Sequence, residues 1–231
     1  MLYICIAFSI IIPYLICSIN PAIVVSKIKL GKDIREMGSG NAGLTNTLRT
    51  MGKGAAAVVL LFDVLKGVIS VLAVAGFCIL TEPWYGFVCN CPDSHFCEAQ
   101  SFLYLCKWLG ALFATLGHCY PIYYKFKGGK AVLVTVATGL VINPTAALSA
   151  LCVFIIIVLI SKYVSLGSVL AAVIYPVGVG LFEHFVKGNN NTSTGVVFSA
   201  LIAVLLVFNH RGNIVRLLKG TEKKLGEKKS V

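Results

Sequence analysis

The sequence predicts an all-α, polytopic membrane protein with about seven transmembrane helices. Mean hydropathy is +0.88, and only 13% of the residues are charged. A soluble domain of this length needs a polar surface, which this composition does not supply. Because roughly 20 apolar residues cross a bilayer as one helix, a chain of 231 residues has room for about six or seven crossings.

Seven apolar stretches support this prediction, and with no internal repeat they are assigned to one domain, residues 1–231. The first stretch lacks a basic start and a small-residue cleavage site, which indicates a retained helix rather than a signal peptide. The fourth is short and is separated from the fifth by Asn143-Pro144, so this pair is predicted to form a tilted or partly re-entrant hairpin. The stretches are residues 2–25, 55–80, 102–117, 131–142, 145–160, 166–182 and 195–208.

The distribution of lysine and arginine predicts the orientation of the chain. Residues 26–53 and 125–130 are basic, whereas the connection between them, residues 81–101, contains neither Lys nor Arg. Cytoplasmic loops are enriched in these two residue types. The N-terminus is therefore predicted to lie outside, and the C-terminus, with a basic tail at about residues 209–231, in the cytoplasm.

The net charge of +11 has two explanations. The enrichment of basic residues in cytoplasmic loops gives many membrane proteins a positive balance. An anionic substrate held at the membrane surface would require one as well. The charge alone does not separate these two explanations, but the placement of the basic residues can.

The nine cysteines do not predict a metal site. Cys89, Cys91 and Cys97 share a loop with His95, and both a zinc site and a disulfide remain open for them, because C-x-C spacing is weak support for either. The other cysteines near apolar stretches are predicted to be small packing residues. These are Cys5, Cys17, Cys78, Cys106 and Cys152.

Residues 38–49, GSGNAGLTNTLR, form the first of three polar clusters. Glycines allow tight turns that bring backbone N–H groups toward an anion, and Arg49 can hold a phosphate through its bidentate guanidinium. A loop that only caps a short helix is the alternative, but such a loop rarely needs so many hydrogen-bonding side chains. The candidate phosphate-binding residues are Ser39, Gly40, Asn41, Thr45, Asn46 and Arg49.

Residues 117–130 form the second cluster, which ends just before a helix predicted to begin at Ala131. A helix N-terminus with two flanking lysines favours phosphate binding. An ordinary basic flank of a cytoplasmic helix end is the alternative, and the turn is not a Walker A loop. For His118, a structural role with a hydrogen bond to a backbone carbonyl and a functional role are equally compatible with the sequence. The candidates are His118, Lys127, Gly128, Gly129 and Lys130.

Residues 209–222 form the third cluster, which follows the seventh stretch. On a helix, His210 and Asn213 share one face and can orient a substrate hydroxyl or carbonyl group. The alternative is a basic tail on anionic lipid, which describes residues 223–229. That alternative does not need Asn, His and Glu. The candidates are His210, Arg211, Asn213 and Arg216, with Glu222 as a supporting residue.

Asp63 and Lys66 lie three residues apart inside the second stretch. Ionisable residues at membrane depth are costly and are usually paired or functional. We predict a structural ion pair that supports the site rather than a direct catalytic pair.

In this order, the three clusters resemble the motifs of the bacterial acyl-phosphate:glycerol-3-phosphate acyltransferases, the PlsY family. The matching segments are GSGNAGLTNTLR, GHCYPIYYKFKGGK and NHRGNIVRLLKGTE, supported by DVLKG at residues 63–67 and KYVSL at residues 162–166. The family usually has Pro, Ala and Gly where this chain has Ala42, Leu44 and Ala131. These positions shape loops rather than carry chemistry, and the loop at residues 81–101 is longer than usual.

The resemblance implies transfer of a fatty acyl group from acyl phosphate to the sn-1 hydroxyl of glycerol 3-phosphate, which gives lysophosphatidic acid and inorganic phosphate. It further implies that Arg49 and Lys130 neutralise phosphates, with Ser39 and the amides of Gly128 and Gly129 completing a cradle. His210 and Asn213, on the same basis, would position the acceptor or the acyl carbonyl.

The partners and location follow from this reaction. The expected partners are the two substrates and membrane lipid, with functional coupling to an enzyme that produces acyl phosphate. No nucleic acid, cofactor or metal is predicted. The expected location is the plasma membrane of a bacterium, the inner membrane if it is Gram-negative, with the active site facing the cytoplasm.

Two other classes of protein remain as alternatives. A transporter for a phosphorylated metabolite would share the basic site, but transporters place polar residues near the bilayer midplane and often contain repeats. A lipid-binding scaffold has no need for glycine-rich loops beside basic residues. A CDP-alcohol phosphotransferase is disfavoured because its aspartate-rich signature is absent from the sequence.

Overall fold

The computed structural model describes residues 1–84, 98–185 and 192–226, and within them the only regular structure is helical. This confirms the predicted all-α class. The loop containing Cys89, Cys91, His95 and Cys97 lies outside the described residues. So do Asn190 and Asn191, each of which begins an Asn-x-Ser/Thr glycosylation sequon in the sequence. The α-helices of the described chain are α1 (Leu2–Ser18), α2 (Pro21–Leu30), α3 (Leu44–Thr81), α4 (Glu98–Cys119), α5 (Val132–Ile142), α6 (Pro144–Ser161), α7 (Val164–Phe185), α8 (Thr192–Asn209) and α9 (Arg211–Leu218).

Five of the described helical segments are long and apolar enough to cross a membrane, and the bent pair α8–α9 is a sixth candidate. Helix α5 has only 11 residues, which span about 16 Å at 1.5 Å per residue and fall short of a bilayer core of roughly 30 Å. Seven crossings and the predicted orientation of the termini stay predictions. Large apolar side chains point outward, among them Ile160, 78% exposed, and Val204, 68% exposed, as expected where lipid covers the protein.

The ends of these helices follow from local sequence. Helix α2 begins at Pro21 after Asn20, whose side chain accepts a hydrogen bond from the Ile23 N–H, and α6 begins at Pro144 after Asn143 in the same way. Asparagine at the N-cap and proline at the first helical position are both favoured. The predicted break at Asn143-Pro144 is thereby confirmed.

Helix α3 contains a kink that the sequence analysis did not predict. Gly52 has φ 83° and ψ −176°, a conformation that suits only glycine. The kink separates residues 44–51, which carry Arg49, from the long apolar part of the helix.

The chain forms two compact units, Met1–Ile142 and Asn143–Val231, which we call the N-terminal and C-terminal units. In the N-terminal unit α1 packs against α3 and α4, and α3 packs against α5. In the C-terminal unit α7 lies against both α6 and α8, and the short α9 contacts α7 and α8. The single domain predicted for residues 1–231 stays a prediction.

Four of the cysteines with a predicted packing role are buried in the N-terminal unit. Cys5, Cys78 and Cys106 contribute to one apolar cluster, and Cys17 contributes to another. The same prediction is wrong for Cys152, which is exposed on α6. An apolar stretch in a membrane protein does not reveal which of its faces meets lipid.

The residue before α5 carries a conformational cost. Ala131 has φ +59° and is 2% exposed in a cluster with Cys17, Ala114, Cys119 and Val134. A left-handed conformation costs an L-residue other than glycine roughly 1–2 kcal/mol. This explains why glycine suits the position.

Replacing Ala131 by glycine is nevertheless expected to change the free energy of unfolding by less than about 1 kcal/mol. The relief of backbone strain is offset by loss of a buried methyl group, about 0.8 kcal/mol, and by the greater freedom of glycine in the unfolded chain. Ala131→Val should destabilise the protein, because a β-branched side chain adds strain and overpacks the cluster. Thermal unfolding in detergent measures both variants, and a valine variant as stable as wild type would contradict this account.

Candidate active site

The first loop, residues 38–43, is shaped by a buried asparagine. Asn46 is 1% exposed, and its Oδ1 accepts a hydrogen bond from the Ser39 N–H at 2.9 Å. Its Nδ2 donates to the carbonyls of Ile34, Met37 and Asn41 at 3.2, 2.9 and 3.0 Å. The side chain therefore fixes the path of the loop, while direct contact of Asn46 with a phosphate stays a prediction.

The loop is also tied to the start of α2. The Nδ2 of Asn20 donates to the Ala42 carbonyl at 3.2 Å, while the Oδ1 of Asn20 caps the helix. Ser39 and Gly40 are exposed, and Asn41 and Thr45 are half-buried. A loop held rigidly from beneath with exposed polar residues above is suited to contact a ligand.

The second loop, residues 125–131, is closed onto the end of α4. The Gly128 N–H donates to the Cys119 carbonyl at 3.0 Å, and the Gly129 N–H donates to the His118 carbonyl at 3.1 Å. The prediction that these two amides complete a phosphate cradle is therefore wrong, because both N–H groups already bond to the carbonyls that α4 leaves unsatisfied. The two glycines are required for a different reason: a side chain on Gly128 would meet the His118 carbonyl oxygen.

Arg35 ties the segment before the first loop to the second loop, and the sequence analysis did not single it out. Its Nη1 donates to the carbonyls of Tyr124 and Lys127, both at 2.9 Å. The guanidinium also forms a bidentate pair with Asp33, with Nε–Oδ1 at 3.0 Å and Nη2–Oδ2 at 2.8 Å. The hydrogen bonds from Arg35 hold the pKa of the Asp33 carboxyl below its usual range. Arg35 thus fixes the position of the residue that begins the Lys-Gly-Gly-Lys turn.

The two loops approach each other at Gly129. A side chain at this position would meet both the Ala42 carbonyl oxygen of the first loop and the Nε2 of His118. Lys127 is exposed and Lys130 is half-buried. The structure therefore brings the first and second clusters together at one end of the N-terminal unit. Arg49 is exposed on the short part of α3 that follows the first loop.

The predicted ion pair of α3 is confirmed and includes a third partner. Lys66 Nζ lies 2.8 Å from Asp63 Oδ1 and 2.9 Å from Nδ1 of His118. The side chains of Asp63 and Lys66 are 2% and 8% exposed. His118, one of the predicted binding residues, is 3% exposed. Its Nδ1 meets the buried pair rather than a ligand.

The third cluster lies in the C-terminal unit, around the bend of 58° between α8 and α9. His210 is 3% exposed, and its Nδ1 lies 2.8 Å from the Leu206 carbonyl oxygen. A carbonyl oxygen can only accept, so Nδ1 carries a proton, and in the neutral ring Nε2 carries the lone pair. The Nε2 atom of His210 therefore has the chemistry of a hydrogen-bond acceptor or a base.

Glu222 organises the residues that follow His210. Its Oε1 accepts hydrogen bonds from Asn213 Nδ2 at 2.6 Å and Ser165 Oγ at 2.8 Å, and its Oε2 pairs with Arg216 Nε at 2.7 Å. Burial opposes the charge of Glu222, but these hydrogen bonds outweigh it and lower the pKa of the carboxyl. The predicted supporting contacts of Glu222 are thus present. Arg211 donates to the Phe208 carbonyl at 3.0 Å, and its ligand-binding role stays a prediction.

The part of the chain that the structure describes contains no group of side chains that could bind a metal ion. Within residues 1–84, 98–185 and 192–226, no group of three or more His, Cys, Asp or Glu side chains is arranged to hold a metal ion.

Comparison with known proteins defines the class. The family model described as glycerol-3-phosphate acyltransferase matches residues 7–220. The glycerol-3-phosphate acyltransferase of Clostridioides difficile (strain 630) is 38% identical over 221 residues, 95% of each chain, and that of Chlorobaculum tepidum is 36% identical over 231 residues, 94% of each chain. The crystal structure of PlsY, an integral membrane glycerol 3-phosphate acyltransferase, in its glycerol 3-phosphate form superposes with a TM-score of 0.72 at 34% identity and covers 96% of both chains.

Fold and relatives together define a multi-pass integral membrane acyltransferase. The crystal structure of PlsY in its lysophosphatidic acid form superposes with a TM-score of 0.69 at 33% identity. The chain belongs to the glycerol-3-phosphate acyltransferase family. The family resemblance noted in the sequence is thereby confirmed.

Proposed function

We propose that this protein transfers a fatty acyl group from acyl phosphate to the sn-1 hydroxyl of glycerol 3-phosphate. The products are 1-acyl-glycerol 3-phosphate and inorganic phosphate. Membership of the family supports glycerol 3-phosphate as the acyl acceptor. The donor is proposed from the resemblance together with the need to accommodate two phosphates.

The observation that carries this proposal is the meeting of two loops in the N-terminal unit, with Arg49 on the helix that follows the first loop and Lys127 and Lys130 in the second. A phosphate monoester carries a charge of roughly −1.5 to −2 at neutral pH, so two bound phosphates require several cations. Arg49 provides a planar fork for phosphate oxygens, and Lys127 and Lys130 provide point charges. We assign phosphate neutralisation to Arg49 and Lys130, and a hydrogen bond to phosphate to the exposed Ser39.

The chemistry needs no protein nucleophile. An acyl phosphate is a mixed anhydride with a good leaving group, so the acceptor hydroxyl can attack the acyl carbon directly. The new ester C–O bond forms, the bond between the acyl carbon and the phosphate oxygen breaks, and phosphate departs with the electron pair. What the protein contributes to catalysis is then the proximity and orientation of the two substrates and stabilisation of the oxyanion.

His210 and Asn213 are proposed to orient the acceptor hydroxyl or the acyl carbonyl. The lone pair on Nε2 of His210 suits an acceptor hydroxyl, whose proton finally leaves on phosphate. If His210 only positions the acceptor, His210→Gln should weaken glycerol 3-phosphate binding and turnover equally. If it is the base, turnover should be lost while binding persists.

The proposed location is the plasma membrane of a bacterium, with the reacting groups at the cytoplasmic face. The basic residues near both loops support placement of the reacting groups on the cytoplasmic side of the membrane. Acyl phosphate is a reactive anhydride, so we also propose functional coupling to the enzyme that makes it.

The test uses purified protein in detergent with palmitoyl phosphate and glycerol 3-phosphate. Release of inorganic phosphate and formation of lysophosphatidic acid are followed together in wild type, Arg49→Ala and Lys130→Ala. We expect equal amounts of both products from wild type and a loss of at least about 100-fold in each variant, as for removal of one charged group that stabilises a reacting phosphate or oxyanion.

Lys53→Ala is the matched control for Arg49→Ala, because Lys53 is an exposed cation just past the kink in the same helix. Acylation from acyl-CoA but not from acyl phosphate would overturn the proposal that acyl phosphate is the acyl donor. Folded protein that binds glycerol 3-phosphate without acylating it, and takes it up into proteoliposomes, would instead identify a transporter.

A further inference from the structure

We propose that Lys66 and His118 are positioning residues that set how the two loops meet. Lys66 acts through the His118 imidazole, and the imidazole acts on Gly129. This inference rests on the proposed function, because its effect is on the binding of glycerol 3-phosphate.

Lys66 is held by three neighbours. Nζ donates to the Ile19 carbonyl at 2.9 Å, forms a hydrogen bond with His118 Nδ1 at 2.9 Å and makes an ion pair with Asp63 Oδ1 at 2.8 Å. An ammonium has three donors and no acceptor. A buried cation within a helical bundle is costly unless it is paired, and Asp63 supplies the opposite charge.

This arrangement determines the tautomer of His118. Nδ1 also lies 3.4 Å from Asp63 Oδ1, but the Lys66 ammonium is closer, at 2.9 Å, and can only donate. We therefore assign the lone pair to Nδ1 and the proton to Nε2. His118 and His210 thus carry their protons on opposite nitrogens. The difference comes from their partners, an ammonium for His118 and a carbonyl oxygen for His210.

The Nε2 edge of His118 lies where the loops meet. A side chain added at Gly129 would meet this atom and, on the same side, the Ala42 carbonyl oxygen. The imidazole is 3% exposed, and Lys66 fixes its rotation. Movement of the ring would therefore shift Gly129 relative to Ala42 and move Lys130, the next residue, with it.

A role limited to stability would lower the amount of folded protein but leave the kinetic constants of the folded fraction unchanged. A positioning role predicts a higher KM for glycerol 3-phosphate with a smaller change in kcat, because the loops still assemble when substrate is saturating. Two substitutions at His118 separate its two nitrogens. Asparagine keeps an acceptor near Nδ1 and removes the Nε2 edge, whereas glutamine keeps an N–H near Nε2 and removes the acceptor for Lys66.

The experiment measures KM and kcat for glycerol 3-phosphate in wild type, His118→Asn, His118→Gln and the charge-neutral pair Asp63→Asn/Lys66→Met. We expect His118→Asn to raise KM about tenfold or more while kcat changes less than about threefold, and His118→Gln to raise it less. Adding His118→Asn to the Asp63/Lys66 variant should raise KM little further, because residues that act in one chain are not additive.

Ser70→Ala is the matched control. Ser70 is buried one turn further along α3 and donates to the Lys66 carbonyl at 2.7 Å, but it does not touch the imidazole. An unchanged KM in both His118 variants, or an equal rise in Ser70→Ala, would overturn the inference. If the Asp63/Lys66 variant does not fold, the two His118 variants decide the question.

Failure of the proposed function has a separate signature. Wild-type protein would then form no lysophosphatidic acid with either acyl donor. The increase in thermal midpoint caused by glycerol 3-phosphate or inorganic phosphate still reports binding in that case. A midpoint increase that is the same in wild type and His118→Asn would overturn the positioning role whatever the reaction.

Discussion

Replacing Asn46 by aspartate is expected to cause one of the two largest losses of stability and activity among single substitutions in this chain. The two side chains have nearly the same shape, but the carboxylate cannot donate to the Ile34, Met37 and Asn41 carbonyls that the Asn46 Nδ2 now bonds. Those carbonyls keep backbone donors, the N–H groups of Met37, Gly40 and Gly43, so the main cost is a buried carboxylate oxygen that faces carbonyl oxygens without a donor. An uncompensated buried charge costs on the order of 3–5 kcal/mol, with loss of the loop conformation that holds Ser39.

Asn20→Asp is the matched comparison, since Asn20 is also buried. Aspartate can still cap α2, where a negative charge is favoured at the helix N-terminus, and only the single bond to the Ala42 carbonyl is lost. Thermal unfolding and acylation rate should therefore fall much further in Asn46→Asp than in Asn20→Asp. Equal effects in the two variants would show that Asn46 does not organise the loop.

The features that were predictable from sequence are those decided by residues close together in the chain. The break at Asn143-Pro144 depends on a cap and a proline that are adjacent. The Asp63–Lys66 pair depends on i, i+3 spacing on one helix. The family was recognisable because each of its motifs is a short contiguous segment.

Contacts between distant segments account for what was missed. Arg35 bonds to carbonyls 89 and 92 residues away, and no local pattern distinguishes it from the other basic residues of its segment. The amides of Gly128 and Gly129 were expected to face phosphate because a glycine pair before a helix commonly does so. Their actual acceptors at the end of α4 are defined only once the chain turns back on itself.

Burial was equally hard to predict for polar residues. Asn46 stands in a polar segment that was predicted to bind phosphate, yet it is 1% exposed and bonds only to backbone groups. The partner of His118 was not evident either, because Lys66 lies 52 residues earlier in the chain. In both cases the residue type was informative about function, while its role depended on the tertiary structure.

Gly128→Ala is expected to lower stability and activity about as much as Asn46→Asp does, but through a different mechanism. An added methyl group would meet the His118 carbonyl oxygen and would lie 2.6 Å from Pro121 Cδ and 3.0 Å from the Cys119 carbonyl oxygen. Two of these atoms belong to the backbone at the end of α4 and cannot rotate away as a side chain would. The loop must therefore move, with loss of the hydrogen bonds from Gly128 and Gly129.

Overpacking costs about 1–3 kcal/mol, and the two hydrogen bonds contribute about 0.5–1.5 kcal/mol each, so Gly128→Ala should destabilise the protein by roughly 2–6 kcal/mol. Because Lys127 and Lys130 move with the loop, we expect the folded fraction to acylate glycerol 3-phosphate at least about 100-fold more slowly at subsaturating substrate, as when reacting groups are misplaced by about 1 Å. Gly76→Ala is the matched control, since nothing lies within 4 Å of the added methyl in α3 and alanine favours a helix. Measured kcat/KM and thermal midpoints equal to wild type in Gly128→Ala would mean that the second loop does not need its close approach to α4.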